Sequence, residues 1–278
     1  MTMQKSWQTA VAAGIFLLTV PSWAQDSGAS IGGDDEEGYL IGASVASSIG
    51  YIGSAKAKVD LKPMFSFQLG QVRVSRSRAN TLLNTGRRAY ETGLSTDLLR
   101  KEGFSLGASL RWDNGRSIED DPRWADLDDV RSTVRVRLSG RWTLTPHWTV
   151  GLSGDKDVMG RGGGARLNTS LSYRHVITKD TFWDFTLSAG GGDRTFMNTT
   201  YGVPARAAAT AGVDPYAPSG GMESVQLSAD MAHSLSRHWV LFGGVTLGRI
   251  AGPARKSPLI DRVSTWGATL GLAWRGGF

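Results

Sequence analysis

Ser264-Thr265-Trp266-Gly267-Ala268-Thr269-Leu270-Gly271-Leu272-Ala273-Trp274-Arg275-Gly276-Gly277-Phe278 closes the chain, and the rest is read from it. Trp266, Ala268, Leu270, Leu272 and Trp274 alternate with Thr265, Thr269 and Arg275, a period of two that marks a β-strand with one apolar face. A strand of this kind ending on Phe is the usual close of an outer-membrane β-barrel. Leu270, Leu272, Trp274 and Phe278 are accordingly expected to be the signal read by the barrel-assembly machinery.

The same period recurs upstream. Phe104 to Trp112, Val134 to Trp142, Trp148 to Leu152, Leu167 to Tyr173, Trp183 to Ala189, Val225 to Met231 and Trp239 to Leu247 each set apolar residues against Ser, Thr, Arg, Asn or Asp. Weaker segments lie at Tyr39 to Ser48, Val59 to Leu69, Val72 to Arg78 and Tyr90 to Leu98. These make about twelve strands, an even number as closure with both ends in the periplasm requires. The fold expected is an all-β transmembrane antiparallel barrel.

The amino terminus reads as a cleaved secretory signal over residues 1–24. Lys5 is its positive end, Ala10 to Val20 its apolar core, and Ser22-Trp23-Ala24 its small-x-small cleavage site. A core of roughly ten residues is too short to span a bilayer, which takes about 20. Residues 25–37 are then a periplasmic segment and 38–278 the barrel, placed in a bacterial outer membrane. With no cysteine, disulfides and thiolate metal sites are excluded. The net charge of +6 is carried by basic residues scattered singly along the strands, and export removes the chain from nucleic acid, so nucleic-acid binding is not expected.

Connections alternate in length. Leu99 to Gly103, Thr145 to His147, Thr178 to Asp180 and Ser236 to His238 are short; Asn114 to Asp129, Asp155 to Gly164, Gly190 to Gly221 and Arg249 to Arg262 are long. Outer-membrane barrels have this sidedness, with the long loops outside. Trp142, Trp148, Tyr173, Trp183, Trp239 and Trp274 fall at periplasmic strand ends, and Trp112, Trp266 and Tyr90 at outer ones. An indole is most stable where hydrocarbon meets water, so two membrane girdles follow. Tryptophans filling the core of a soluble β-sandwich would show no preference for strand ends.

Arg135, Arg137 and Arg141 share one strand face, and Arg111, Arg166 and Arg174 point the same way on neighbouring segments. Charge facing lipid at the midplane costs about 2 to 4 kcal/mol, so these six are assigned to the lumen. Two readings stand: a basic, anion-preferring interior, or arginines paired with Asp97, Asp113, Asp155, Asp184 and Asp230 in a filled one. No catalytic residue, cofactor or metal is expected. His147 and His238 sit in turns, His233 falls on the lipid-facing register, His175 can face either way, and no Ser is placed beside a His by spacing. Gly160 to Gly164 lacks the Gly-Lys-Ser/Thr of a phosphate loop, and Asp34 to Glu37 reads as a solvated acidic run.

In its second half the chain resembles the MltA-interacting protein (MipA/OmpV) family. The residues that carry this are Thr200-Tyr201-Gly202-Val203, Asp214-Pro215-Tyr216-Ala217-Pro218-Ser219-Gly220-Gly221-Met222, Leu235-Ser236-Arg237-His238-Trp239 and Lys256-Ser257-Pro258-Leu259-Ile260. Tyr51-Ile52-Gly53-Ser54 and Asn114-Gly115-Arg116 resemble the family's earlier loops. The resemblance implies an outer-membrane barrel. It further implies one of the family's roles, either a scaffold joining a periplasmic murein hydrolase to a murein synthase, or porin-like uptake or adhesion. The function expected is a monomeric, non-enzymatic scaffold surrounded by outer-membrane lipid, with a porin-like channel as the alternative.

Overall fold

The structure, a computed structural model, describes residues 38–49, 57–70, 72–76, 93–116 and 122–276. The signal sequence, the segment 25–37, Tyr51 to Ser54, Tyr90 and Phe278 lie outside the described residues. Twelve strands form one closed antiparallel barrel in which each strand pairs with its neighbours in sequence and β1 pairs with β12. They are β1 (Tyr39–Ile49), β2 (Ala57–Leu69), β3 (Val72–Arg76), β4 (Gly93–Lys101), β5 (Phe104–Asp113) and β6 (Thr133–Thr143). The circle continues through β7 (Trp148–Asp157), β8 (Ala165–Thr178), β9 (Thr181–Gly192), β10 (Gly221–Ser234), β11 (Trp239–Ile250) and β12 (Ser264–Gly276). Closure removes every sheet edge, so each strand's backbone groups are satisfied without water, as hydrocarbon demands. A sandwich is excluded by the same closure.

Leu110, Leu138, Leu167, Leu187, Leu227, Val245, Leu247 and Leu270 point outward and are about half exposed, forming one apolar belt around the barrel. Soluble monomers rarely leave so large a contiguous apolar surface in water. This is an outer-membrane barrel. Trp142, Trp148 and Trp239 are exposed on the short-turn side, where Trp148 packs on Tyr173 at 4.9 Å and Trp274 on Tyr39 at 5.3 Å between ring centroids. Trp183 stacks on Phe185 on the same outward register, while Trp112 and Trp266 are exposed at the opposite, long-loop ends. His175 stacks on Tyr173 and so faces outward.

Some boundaries shift. β4 runs to Lys101, so Leu99 to Gly103 is a two-residue turn with a bulge at Leu98 before it; β7 runs to Asp157, so Asp155 and Asp157 are strand residues and not loop. The larger correction concerns the interior, which is not uniformly hydrophilic. Leu40, Met64, Ala232, Val240, Phe242 and Ala273 form a buried cluster inside the periplasmic half of the barrel, with Phe182 packed on it. Each of the larger side chains has an apolar chain neighbour: Leu40-Ile41, Phe182-Trp183 and Trp239-Val240-Leu241-Phe242 are unbroken. Where both faces of a strand are buried in apolar surroundings, alternation vanishes.

Two periplasmic turns repeat one design. The Leu144 and Leu235 N–H groups donate to the carbonyls of Trp148 and Trp239, both at 2.9 Å. The Thr145 hydroxyl oxygen accepts from the His147 and Trp148 amides at 3.3 and 3.1 Å, and that of Ser236 from His238 and Trp239 at 3.2 and 3.1 Å. Each imidazole Nδ1 donates at 3.0 Å to the carbonyl of an arginine, Arg174 or Arg275, on the adjoining strand. A carbonyl only accepts, so the proton resides on Nδ1 in both.

Candidate functional site

The six arginines expected in the lumen all lie on inward registers, and Arg135, Arg137, Arg166 and Arg174 meet carboxylates there. The Arg135 side chain, 4% exposed, bonds through Nε to Asp155 and through Nη1 to the Gly163 carbonyl at 2.8 Å. Arg137 reaches the other Asp155 oxygen at 2.8 Å, so one carboxylate bridges two guanidiniums. Arg174 holds Asp184 through two bonds of 2.7 and 2.6 Å across directly opposed positions of β8 and β9. Arg111 lies opposite Arg135, 3.8 Å from whose guanidinium stands Asp113. Arg141 lines a cavity nearer the periplasm. Pairing with Asp113, Asp155 and Asp184 follows the sequence reading; Asp97 instead pairs with Arg73, at 3.2 and 2.9 Å, and with Arg100.

Above these pairs the connection between β9 and β10 folds into two short helices, which periodicity in the strands gives no hint of. Helix α1 (Arg194–Tyr201) is capped by Asp193, whose carboxylate accepts from the Phe196 amide at 2.7 Å and from the Ala165 amide at 3.0 Å. Local capping and attachment to β8 are thus made by one side chain. Phe196 lies beneath two guanidiniums, 5.8 Å from Arg135 and 4.7 Å from Arg166. Gly164, with φ +54°, and Gly192 make the room, since a Cβ on either would run into Phe196. The Tyr201 hydroxyl donates to Glu223 at 2.9 Å, and Glu223, 3% exposed, also holds Arg166 at 3.0 Å. Burial, reinforced by the adjacent Glu223 carboxylate, pushes the Tyr201 phenol well above its ordinary range.

Helix α2 (Ala205–Ala211) buries Ala207 and Ala208 against Trp124, Val203 and Leu259. Other loops lock onto both helices. Ser257 donates to the Tyr201 carbonyl at 2.6 Å, Arg116 to the Thr200 carbonyl, and the Tyr216 hydroxyl to the Pro253 carbonyl at 2.7 Å, while Val203 and Tyr216 form a β-bridge. The motifs around Arg116, Thr200 to Val203, Tyr216 and Ser257 therefore meet in one place, the extracellular mouth, whereas Leu235 to Trp239 forms a periplasmic turn. Sequence reasoning missed Phe196, Tyr201 as a lumen contact, Glu223 and Asp157. The last accepts the amides of Met159, Arg161 and Gly163 at 2.9, 2.7 and 2.9 Å, so the glycine-rich turn after β7 folds around an internal carboxylate and offers those amides to no phosphate.

Towards the periplasm the lumen is divided lengthwise. The apolar cluster occupies the sector from β9 through β12 to β2. Facing it, the inner walls of β3 to β9 enclose a cavity of about 280 Å³ bordered by serines, glycines and basic side chains. Among the described residues no group of three or more His, Asp or Glu is placed to hold a metal ion. The histidine nearest a hydroxyl, His233, bonds Thr181 at 2.7 Å on the outward face of β10, away from the lumen.

Solved structures with a comparable architecture include the KdgM porin (10% identity over 84% of this chain and 98% of that one, TM-score 0.39). Another is the COG4313 outer membrane channel from Pseudomonas putida F1 (12% identity, 90% and 100%, TM-score 0.41), and a third is Salmonella typhi OmpF in complex with daunomycin (7%, 87% and 97%, 0.40). No curated protein matches the chain. Residues 41–276, from the first strand to the last, match the family described as MltA-interacting protein MipA. The chain belongs to that family.

Proposed function

We propose that the protein is a non-enzymatic outer-membrane scaffold that engages a murein hydrolase and a murein synthase at its periplasmic face. The observation that carries this is membership of a family described by its interaction with MltA. The geometry is compatible in one respect: the periplasmic turns at His147 and His238 are short and fixed by hydrogen bonds, so a partner meets a preorganised surface. In this reading residues 1–24 are cleaved, 25–37 supply a second periplasmic contact, and Leu270, Leu272, Trp274 and Phe278 are read by the barrel-assembly machinery. The mature chain is a monomer in lipid, without cofactor, metal or nucleic acid. The test is co-purification of the detergent-solubilised barrel with periplasmic enzymes. A murein hydrolase recovered together with a synthase, and lost when both His147 and His238 are changed to Glu, is expected; recovery of neither by a folded barrel ends the reading.

A second reading, a porin-like channel with an anion-preferring lumen for small solutes or antibiotics, draws on the hydrophilic half of the interior. Planar-bilayer recordings test it: anion-selective steps altered by Arg137→Ala support a conducting lumen, and silence excludes one.

A further inference from the structure

Charge on the strands is divided unevenly by sign between the two faces. Among the described residues every strand carboxylate, from Asp60 on β2 to Asp230 on β10, lies on an inward register or, like Glu223 at its bulge, bonds inward to Tyr201. The charged side chains on outward registers are Arg76, Lys101, Lys156 and Arg249, all basic and all exposed. A cation facing lipid is costly at the midplane and cheap at the edges, where it reaches the headgroups. Lys156 and Arg249 are the last but one residues of β7 and β11, so both stand at the extracellular edge.

That edge is most completely built between β11 and β12. Arg249 lies opposite Ser264, and one row nearer the midplane Leu247 lies opposite Trp266, both more than half exposed. The Ile250 amide donates to the Val263 carbonyl at 2.8 Å, which carries the pairing past the start of β12 and sets the exposed Arg262 just beyond it. Asp261, the acid next to Arg262, is answered by Arg123 at 3.5 Å. Arg249 and Arg262 make no side-chain ion pair or hydrogen bond among the described residues. Deeper rows are wholly apolar, Val245 opposite Ala268 and Gly243 opposite Leu270. From the loop inward the order is guanidinium, then hydroxyl and indole, then aliphatic.

We propose that this edge of the barrel is a binding site for the phosphorylated glycolipid of the outer leaflet, lipopolysaccharide, whose phosphate, sugar and acyl chains follow the same order. Arg249 and Arg262 take a phosphate, because a guanidinium meets phosphate oxygens through paired N–H bonds. The Trp266 indole, apolar in body and polar at one atom, lies against the sugar. Leu247, Val245 and Leu270 take the acyl chains. Binding here requires neither a murein enzyme nor an open lumen, so it stands or falls separately from the functions proposed above.

Native mass spectrometry of the folded mature protein in neutral detergent, titrated at constant ionic strength with bisphosphorylated lipid A, its dephosphorylated form and phosphatidylglycerol, provides the test. Lipid A is expected to bind at least about tenfold more tightly than either of the others. Changing Arg249→Gln and Arg262→Gln together should weaken lipid A about tenfold, while Lys101→Gln, at the periplasmic edge, should leave it unchanged. Should the double variant fail to fold, as judged by heat-modifiable gel migration, Arg249→Lys takes its place; it keeps the charge, loses the paired geometry and is expected to weaken lipid A severalfold. Equal affinity for phosphatidylglycerol reduces the effect to bare charge and overturns the proposal. Equal affinity for the dephosphorylated form, no binding of lipid A, an unaffected arginine variant, or an equal loss on Lys101→Gln overturns it as well.

Discussion

Tyr201 and Asp155 show how single side chains hold the mouth of the barrel. The Tyr201 phenol is held neutral by burial and by the Glu223 carboxylate it bonds, so it ionises at higher pH in the folded protein than in the unfolded chain. Below about pH 10 both states carry the proton and the difference contributes nothing; above it the unfolded chain ionises first, and the folded mouth loses stability as pH rises. Alkaline titration followed at 295 nm should therefore show a late-ionising tyrosine that disappears in Tyr201→Phe. Asp155 is a sharper case. Its side chain is 1% exposed and answers two guanidiniums, one of them 4% exposed. Removing one partner of a buried ion pair typically costs about 3 to 5 kcal/mol, because the remaining charge stays buried. Asp155→Ala should lower the urea midpoint of the refolded barrel accordingly, and more than Asp184→Ala, whose pair with Arg174 is nearly a fifth exposed on each side.

Among the elements, the strands were legible in the sequence and the helices were not. A lipid-facing strand writes itself as alternation, because neighbours along it meet opposite solvents; β5, β6 and β12 could be read to within a residue or two for that reason. The same logic blinds the reading wherever both solvents are apolar, as at Val240 and Phe242, whose inward side chains sit in the lumen cluster. The signals for α1 and α2 were present but local: Asp193 three residues before Phe196, and the Ala-rich run Ala205 to Ala211, rich in the best helix former. Neither gives the place of a helix inside a barrel, which depends on Arg135 and Arg166 meeting Phe196 from two other strands. Since no strand pairing passes through these helices, replacing residues 194–211 with a short Gly-Ser linker should leave the barrel folded, with its gel migration unchanged. It should also raise single-molecule conductance in planar bilayers, and an unchanged conductance would mean that α1 does not narrow the mouth.

At the scale of the whole molecule the fold rests on an inversion. The outward face of the strands is apolar and their inward face carries paired charges such as Arg135–Asp155 and Arg174–Asp184, with one apolar sector set into it. The energetic consequence differs by face and not by residue type. Leu138 lies near the middle of β6 on the outward register, 53% exposed, between the inward Arg137 and Ser139. In water an arginine at an exposed position of this kind would be almost neutral. In hydrocarbon it costs about 2 to 4 kcal/mol at the midplane. Leu138→Arg should therefore lower the folding yield into lipid vesicles and reduce the unfolding free energy read from urea titration by about 2 to 4 kcal/mol. Leu144→Arg is the control: Leu144 is 63% exposed, but it lies in the turn after β6, at the periplasmic rim where a guanidinium reaches water, and should change little. The comparison isolates depth in the bilayer, since both changes replace an exposed leucine on the same hairpin. Equal effects would remove the lipid belt from the account and return those leucines to an ordinary protein surface.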